Sequence, residues 1–174
     1  GEREQGIAGR VLDPQVHGPG ATHPKLLPPG VEFLHGSVTD RAMVDRALNG
    51  VRSVVHLAAA VGVGQSMYAI ASYVETNALG TAMLLDVMVN GGHGVKRLVV
   101  ASSMSIYGEG RYRCAQCGPV APRLRSTGQL HARDWEMRCP ACGKSATPVP
   151  TDENKPLFPT SVYAVTKRDQ EELC

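Results

Sequence analysis

Hydrophobic and polar positions along this chain alternate between two periods. Residues 10–13 (RVLD) form a short β-rich run ending on an acid, and Val31–His35 (VEFLH) alternates as a half-buried strand does. Thr39-Asp40 then offers a helix N-cap for residues 41–48, with Ala42, Met43, Ala47 and Leu48 as inner positions and Gly50 as the stop. Residues 51–60 (VRSVVHLAAA) and 95–102 (VKRLVVAS) are nearly continuous apolar runs, the pattern of strands buried on both faces. Between them, residues from about 67 to 89 read as one long helix, with Leu84, Leu85 and Met88 at helical spacing and Asn90-Gly91-Gly92 closing it. Strands alternating with helices across short turns predict right-handed βαβ units on a parallel sheet, an α/β fold.

The rhythm breaks at Gly108. From there to about Pro150 no apolar period holds, and this stretch carries four paired cysteines and Trp135. It resumes at Ser161, where Val162–Leu173 is a helix candidate introduced by Pro159-Thr160-Ser161. The expected organisation is therefore 1–108, an inserted 109–150, and a return to the first domain over 151–174.

Composition narrows the function classes. A length of 174 residues suits one domain carrying an appendage. A formal net charge of +2 gives no electrostatic case for a nucleic-acid or membrane-surface partner. With 43% hydrophobic and only 5% aromatic residues, aliphatic side chains must build the core. No apolar run approaches the roughly 20 residues of a membrane span, and Gly1-Glu2-Arg3-Glu4-Gln5 has no signal-peptide character.

Cys114-x-x-Cys117-Gly118 and Cys139-x-x-Cys142-Gly143 can each present two thiolates from a tight turn, and the following glycine lets backbone amides face the sulfurs. Two such knuckles, separated by residues 118–138, predict a closed tetrahedral zinc site, in preference to disulfides or an iron–sulfur cluster. Without a secretion signal, this cysteine usage points to a reducing compartment, the cytoplasm by default. Four sulfur ligands leave zinc no open position, so its expected role is structural. The arginines of this segment (Arg111, Arg113, Arg123, Arg125, Arg133, Arg138) are scattered and partly balanced by Asp134 and Glu136, which favours a solvated surface over a nucleic-acid reader. Cys174 reads as an ordinary helix cysteine.

Three further positions carry possible chemistry, each with a plainer reading beside it. Asp13 could accept hydrogen bonds from the ribose of a bound dinucleotide and disfavour a 2′-phosphate, or it could simply open an Asp-Pro turn. Ser102-Ser103 ends a strand where open α/β sheets place ligands, or merely terminates it. Tyr163 and Lys167, at i and i+4 on a helix, share one face. There a cation lowers a phenol pKa and fits it for acid/base work, although isolated pairs of this kind are usually surface neighbours. His56, inside an apolar strand, reads as a satisfied core residue with no catalytic role.

Taken in order, Val54-Val55-His56-Leu57-Ala58-Ala59, Asn77-Ala78-Leu79-Gly80-Thr81, residues 101–108 (ASSMSIYG) and Tyr163-x-x-x-Lys167 resemble the motifs of extended short-chain dehydrogenases/reductases. Within these, the chain looks like the NAD-dependent nucleotide-sugar epimerase/dehydratase family. It further resembles the subset with a zinc ribbon at this point, of the dTDP-L-rhamnose 4-epimerase type. The resemblance implies a Rossmann fold, a doubly wound parallel sheet. It implies that Asp13, Ser37, Val38, Leu57, Ala58, Ala59, Asn77, Tyr163 and Lys167 bind NAD. Ser37 stands where the family usually has Asp. Ser103, Tyr163 and Lys167 would be catalytic: Ser103 binding the reacting hydroxyl, Tyr163 taking its proton, and Lys167 holding the nicotinamide ribose. Structural zinc would sit on Cys114, Cys117, Cys139 and Cys142, forming a lid or an oligomer contact beside the sugar pocket. The implied partners are a nucleotide-sugar substrate and, for the full-length enzyme, a second copy in a homodimer, with neither nucleic acid nor membrane.

Two departures shape the expectation. The glycine-rich phosphate loop should lie about 20 residues upstream of Asp13, before residue 1, and Gly6-Ile7-Ala8-Gly9 has no strand before it and no room for a helix after it. The fold is therefore expected as a partial Rossmann sheet lacking its first strand and glycine loop, an interior fragment that is inactive alone. Family dehydratases carry an Asp-Glu pair just after the strand-end Ser or Thr, whereas this chain has Met104-Ser105. That favours 4-epimerisation through a transient 4-keto sugar over dehydration. The alternatives are a zinc-ribbon binding module on a catalytically silent Rossmann remnant and a sugar-nucleotide oxidoreductase.

Overall fold

The computed structural model describes residues 9–13 and 27–174. Residues 1–8, with most of the Gly6–Gly9 stretch, and residues 14–26 of the Gly/Pro/His loop lie outside the described residues. Strand β1 (Gly9–Asp13) pairs in parallel with β2 (Val31–His35), with Asp13 opposite His35. Helix α1 (Arg41–Leu48) follows, and Asp40 caps it by accepting from the amides of Ala42 (3.0 Å) and Met43 (3.2 Å), as the sequence predicts. Its other end is closed by a residue the sequence does not single out. From β1, the Arg10 guanidinium donates to the carbonyls of Ala47 and Asn49, both at 2.9 Å, while its Nε donates to Glu32 at 2.8 Å. A strand arginine thus satisfies carbonyls the helix terminus leaves open.

Strand β3 (Ser53–His56) pairs in parallel with β4 (Arg97–Val100). The chain between them is not the single helix expected from periodicity. It forms α2 (Val63–Ser66) and α3 (Ile70–Tyr73), then a π-helical segment Val74–Leu79 running directly into α4 (Gly80–Asn90). The widened π segment carries Asn77, whose side chain is fully buried and bonded to backbone outside the helix.

Both apolar runs are also shorter as strands than expected, and neither is buried on both faces. Val54 and Leu98 pack against the core of Val38, Val44, Leu48, Leu84 and Val87, which α1 and α4 help to build. Val55 and Val99, on the other face, are 64% and 59% exposed because no described element covers them. Among the described residues the pairs β1-β2 and β3-β4 remain separate two-stranded ladders.

The cysteine segment is a three-stranded antiparallel sheet in the order β6-β5-β7, from β5 (Arg111–Cys114), β6 (Gly118–Val120) and β7 (Ala146–Val149), with a short helix α5 (Thr127–His131) between β6 and β7. Helix α6 (Val162–Leu173) closes the described chain, capped by Ser161 through the Ala164 amide at 3.1 Å. Among the described residues, no helix is long and apolar enough to cross a membrane.

Gly80 is where the π segment meets the core. A Cβ built there would lie 2.5 Å from Cγ1 of Val38, whose side chain is itself buried. Gly80→Ala should lower stability by about 1–3 kcal/mol through overpacking, which outweighs the roughly 1 kcal/mol that Ala gains over Gly inside a helix. Adding Val38→Ala should recover part of the loss, as read by urea unfolding followed by circular dichroism.

Candidate active site and metal centre

The site gathers where the chain leaves β3 and β4. After His56, Leu57 is 68% exposed, Ala58 packs against the core, and Ala59 and Ala60 are half-buried. Asn77 fixes this turn. Its Oδ1 accepts from the Ala60 amide at 2.7 Å, and its Nδ2 donates to the Ala60 carbonyl at 3.0 Å and to Thr166 Oγ1 at 2.9 Å. Thr166 in turn donates to the Tyr163 carbonyl at 3.0 Å. One amide therefore ties the end of β3 to the turn of α6 that separates Tyr163 from Lys167. Beside it, Tyr73 donates to the Val61 carbonyl at 2.6 Å, and its ring stands edge-on to Tyr163 with centroids 6.4 Å apart.

Ser103 follows β4 in extended backbone and caps a single 3₁₀ turn, Met104–Tyr107, with its Oγ accepting from the Ser105 amide at 3.2 Å. That leaves its hydroxyl hydrogen free for another acceptor. The neighbouring Ser102 Oγ is buried with no hydrogen-bond partner among the described residues. The 3₁₀ turn is held against the approach to α6, since the Phe158 amide donates to the Ile106 carbonyl at 2.9 Å. Gly108 (φ 67°) allows that approach, because a Cβ there would meet the Phe158 carbonyl at 2.6 Å.

Lys167 is buried, with 3% of its surface exposed, and donates to Gln170 Oε1 at 2.6 Å. Burial holds its pKa below the ordinary lysine value, partly offset by Glu171. His56 behaves as the sequence suggests, a buried residue bonded to Thr81 Oγ1 at 2.9 Å, with its pKa lowered by burial and then by the Lys167 charge. The remaining residues expected to touch a cofactor lie at the other strand pair. Asp13 ends β1, and its carbonyl accepts from the Gly36 amide at 3.2 Å. Ser37 shares a 2.8 Å hydrogen bond with Thr39, and Val38 belongs to the core, only 8% exposed.

The four paired cysteines converge. Their sulfurs all lie within 4.8 Å of one another, and Cys114 and Cys142 are 3.6 Å apart. A disulfide needs about 2.05 Å, whereas a tetrahedron with bonds of about 2.3 Å to zinc has edges near 3.8 Å. Gly118 (φ 77°) and Gly143 (φ 72°) take the left-handed conformation that closes each knuckle. The amides of Cys117 and Gln116 lower Cys114 to about 7, while hydrogen bonding to Cys142, burial and the other thiols push Cys117 up to about 12. Four close sulfurs of this kind could hold a metal ion.

Sequence reasoning missed the residues that join these parts. Lys155 is 2% exposed, and its ammonium donates to the Tyr107 carbonyl. It shares the Phe158 ring with Arg123, whose guanidinium carbon lies 3.7 Å from the ring centre. This stack anchors the cysteine segment to the turn that carries Ser103. A cleft of about 230 Å³ lies at the same junction, bordered by Glu109, Arg123, Leu124, Phe158 and Thr160, and apart from Tyr163. Gln170 and Thr166 were also missed, though their i+3 spacings from Lys167 and Tyr163 were a legible signal.

A model of the NAD dependent epimerase/dehydratase family matches residues 4–124. The chain belongs to this epimerase/dehydratase family. Among curated members, dTDP-L-rhamnose 4-epimerase of Burkholderia thailandensis is 34% identical over 164 residues, covering 93% of this chain and 44% of that protein. The dTDP-glucose 4,6-dehydratase of Streptomyces niveus is 32% identical over 145 residues, covering 75% of this chain and 42% of that protein. Among solved structures, the Thermus thermophilus UDP-glucose 4-epimerase complex with NAD superimposes with a TM-score of 0.62 at 26% identity, over 94% of this chain and 40% of that one. The chain thus spans less than half the length of the family members it matches.

Removing the bridging amide tests its place in the site. Asn77→Ala leaves the Ala60 amide and carbonyl unpaired and should lower stability by about 1–3 kcal/mol. Asn77→Asp restores only the bond from the Ala60 amide, because Thr166 already gives its hydrogen to Tyr163, so it should remain destabilised in urea unfolding.

Proposed function

We propose that this chain is the acid/base half of an NAD-dependent nucleotide-sugar 4-epimerase, with a structural zinc ribbon between residues 109 and 150. The observation that carries the reading is the Asn77 bridge, which gathers the end of β3 and the Tyr163–Lys167 helix at one place. Tyr163 takes the proton of the sugar C4 hydroxyl and later returns one to the same oxygen on the other face. Ser103, whose hydrogen is uncommitted, donates to that oxygen, and Lys167 holds the nicotinamide ribose. NAD, when bound, supplies the acceptor and donor of the hydride. The orphaned Ser102 Oγ is a buried polar atom that suits a ligand at the same strand end. Met104 and Ser105 offer no acid/base pair for water loss, which favours epimerisation, and the 34% identical epimerase points to a dTDP-deoxysugar as substrate.

The phosphate end of the dinucleotide site needs a strand followed by a glycine-rich turn, and the sequence holds no Gly-x-x-Gly-x-x-Gly. The two separate parallel ladders support a sheet whose missing central strand lies between β1 and β3. The domains follow: residues 1–108 and 151–174 belong to the cofactor-binding fold, while 109–150 is the ribbon. In this reading the full-length enzyme is a homodimer.

The chain alone should show no saturable NAD binding by calorimetry, and micromolar binding would refute the missing loop. Extended upstream by a strand and Gly-x-x-Gly-x-x-Gly turn, and downstream by a substrate region, it should invert C4 of a dTDP-sugar without net NADH. Tyr163→Phe should then reduce kcat by about 10²–10⁴-fold.

The metal has its own test. Elemental analysis should find about one zinc per chain. Chelation should change the near-ultraviolet signal of Trp135 while most far-ultraviolet helical signal persists.

A further inference from the structure

Behind Lys167 lies a polar cluster that the proposed chemistry does not use. Gln170, fully buried, accepts from the Lys167 ammonium through Oε1 at 2.6 Å, and its Nε2 donates to Thr81 Oγ1 at 2.7 Å. The orientation of this amide follows from its neighbours. An ammonium only donates, so the Gln170 carbonyl must face Lys167 and its NH₂ must face Thr81. Thr81 gives its one hydrogen to the Asn77 carbonyl at 2.6 Å. Its oxygen is left to accept from Gln170, and His56 Nε2 lies 2.9 Å from the same oxygen. His56 Nε2 also lies 3.2 Å from Gln170 Nε2, whose second hydrogen faces the imidazole, so the ring packs against both the amide and its Thr81 partner.

Gln170 donates to Thr81, Thr81 donates to the π segment, and the only group the amide can offer Lys167 is a carbonyl. We infer that Gln170, oriented through Thr81 by the π segment, is the positioning residue that sets where the Lys167 ammonium lies and keeps it protonated although buried. Its relevance to catalysis rests on the epimerase reading, but the contact and its test do not require NAD or substrate. The other titratable groups around Lys167 are Tyr163 and Glu171 on α6, His56 on β3 and, against the Tyr163 ring, Tyr73 on α3. Glu171 favours the charged form of Lys167, and burial followed by the Lys167 charge holds the His56 pKa down. Without the Gln170 carbonyl, the desolvated ammonium would lose its one hydrogen-bond acceptor among the described residues.

The titration of Lys167 in this chain tests the inference. ¹³C-labelled lysine resolves Lys25, Lys96, Lys144, Lys155 and Lys167 by NMR, with Lys167 assigned through Lys167→Arg. Gln170→Leu should move the Lys167 midpoint down, and Gln170→Glu, which puts a carboxylate at the same atom, should move it up, separating the two by at least about one pH unit. Thr81→Val does not touch Lys167 but frees the amide, and it should also move the midpoint down. Midpoints that coincide with wild type, or shift the same way in Gln170→Leu and Gln170→Glu, would overturn the inference. So would an unchanged midpoint in Thr81→Val. If Gln170→Leu does not fold, the Gln170→Glu and Thr81→Val comparisons decide it. Failure of C4 inversion with these shifts intact would count against the epimerase reading alone.

Discussion

Asn77 satisfies both backbone groups of Ala60 and the hydroxyl of Thr166 with one side chain, and the geometry of the site follows from that arrangement. Among the described residues the turn after β3 has no sheet partner for Ala60, so its half-buried amide and carbonyl would otherwise be unpaired, at a combined cost of about 1–3 kcal/mol. Reaching them from a helix requires the widened π segment, Val74–Leu79. The same widening delivers Gly80 against Val38, where only a residue without a side chain fits. Helix irregularity, glycine and clamped turn are consequences of a single hydrogen-bonding requirement.

A second layer of fixed polar contacts lies immediately behind. Thr81, one turn along from Asn77, accepts from Gln170, which accepts from Lys167. Because Thr81 donates to the Asn77 carbonyl, the clamp on the β3 turn and the support of Lys167 share one helix turn. Displacing the π segment would disturb both. The α6 residues proposed for catalysis are thus held by directional hydrogen bonds to uncharged partners, which avoid the desolvation cost of a buried counter-ion.

The cysteine segment joins this assembly from the opposite side. Its four sulfurs converge beside a small antiparallel sheet, and its Arg123 meets the Phe158 ring that Lys155 also approaches. Phe158 also donates its amide to the turn headed by Ser103. Burial, and after it the charge of Arg123, holds the Lys155 pKa below the ordinary lysine value, so the contact stands on ring electrostatics and on the Tyr107 carbonyl.

Local patterns in the sequence determined a good deal. Asp40 and Ser161 as helix caps, the β1 and β2 runs, the bounds of α6, the paired knuckles and the ordered family motifs all depend on neighbours within a few residues, and such rules survive folding. Burial and the helix interior did not follow in the same way. The apolar runs of β3 and β4 could not say that Val55 and Val99 would be left uncovered, because cover depends on other elements. Periodicity read one helix across residues 67–89, where the demand of Ala60 for a partner widens a turn. The contacts of Lys155, Gln170 and Arg10 likewise join residues far apart in the chain, by bonds whose geometry only the tertiary fold creates. What the chain wrote by itself was most of its local elements, its paired cysteines and its family. Which polar atoms meet was decided by packing, since a buried donor or acceptor takes whatever partner the fold brings within reach.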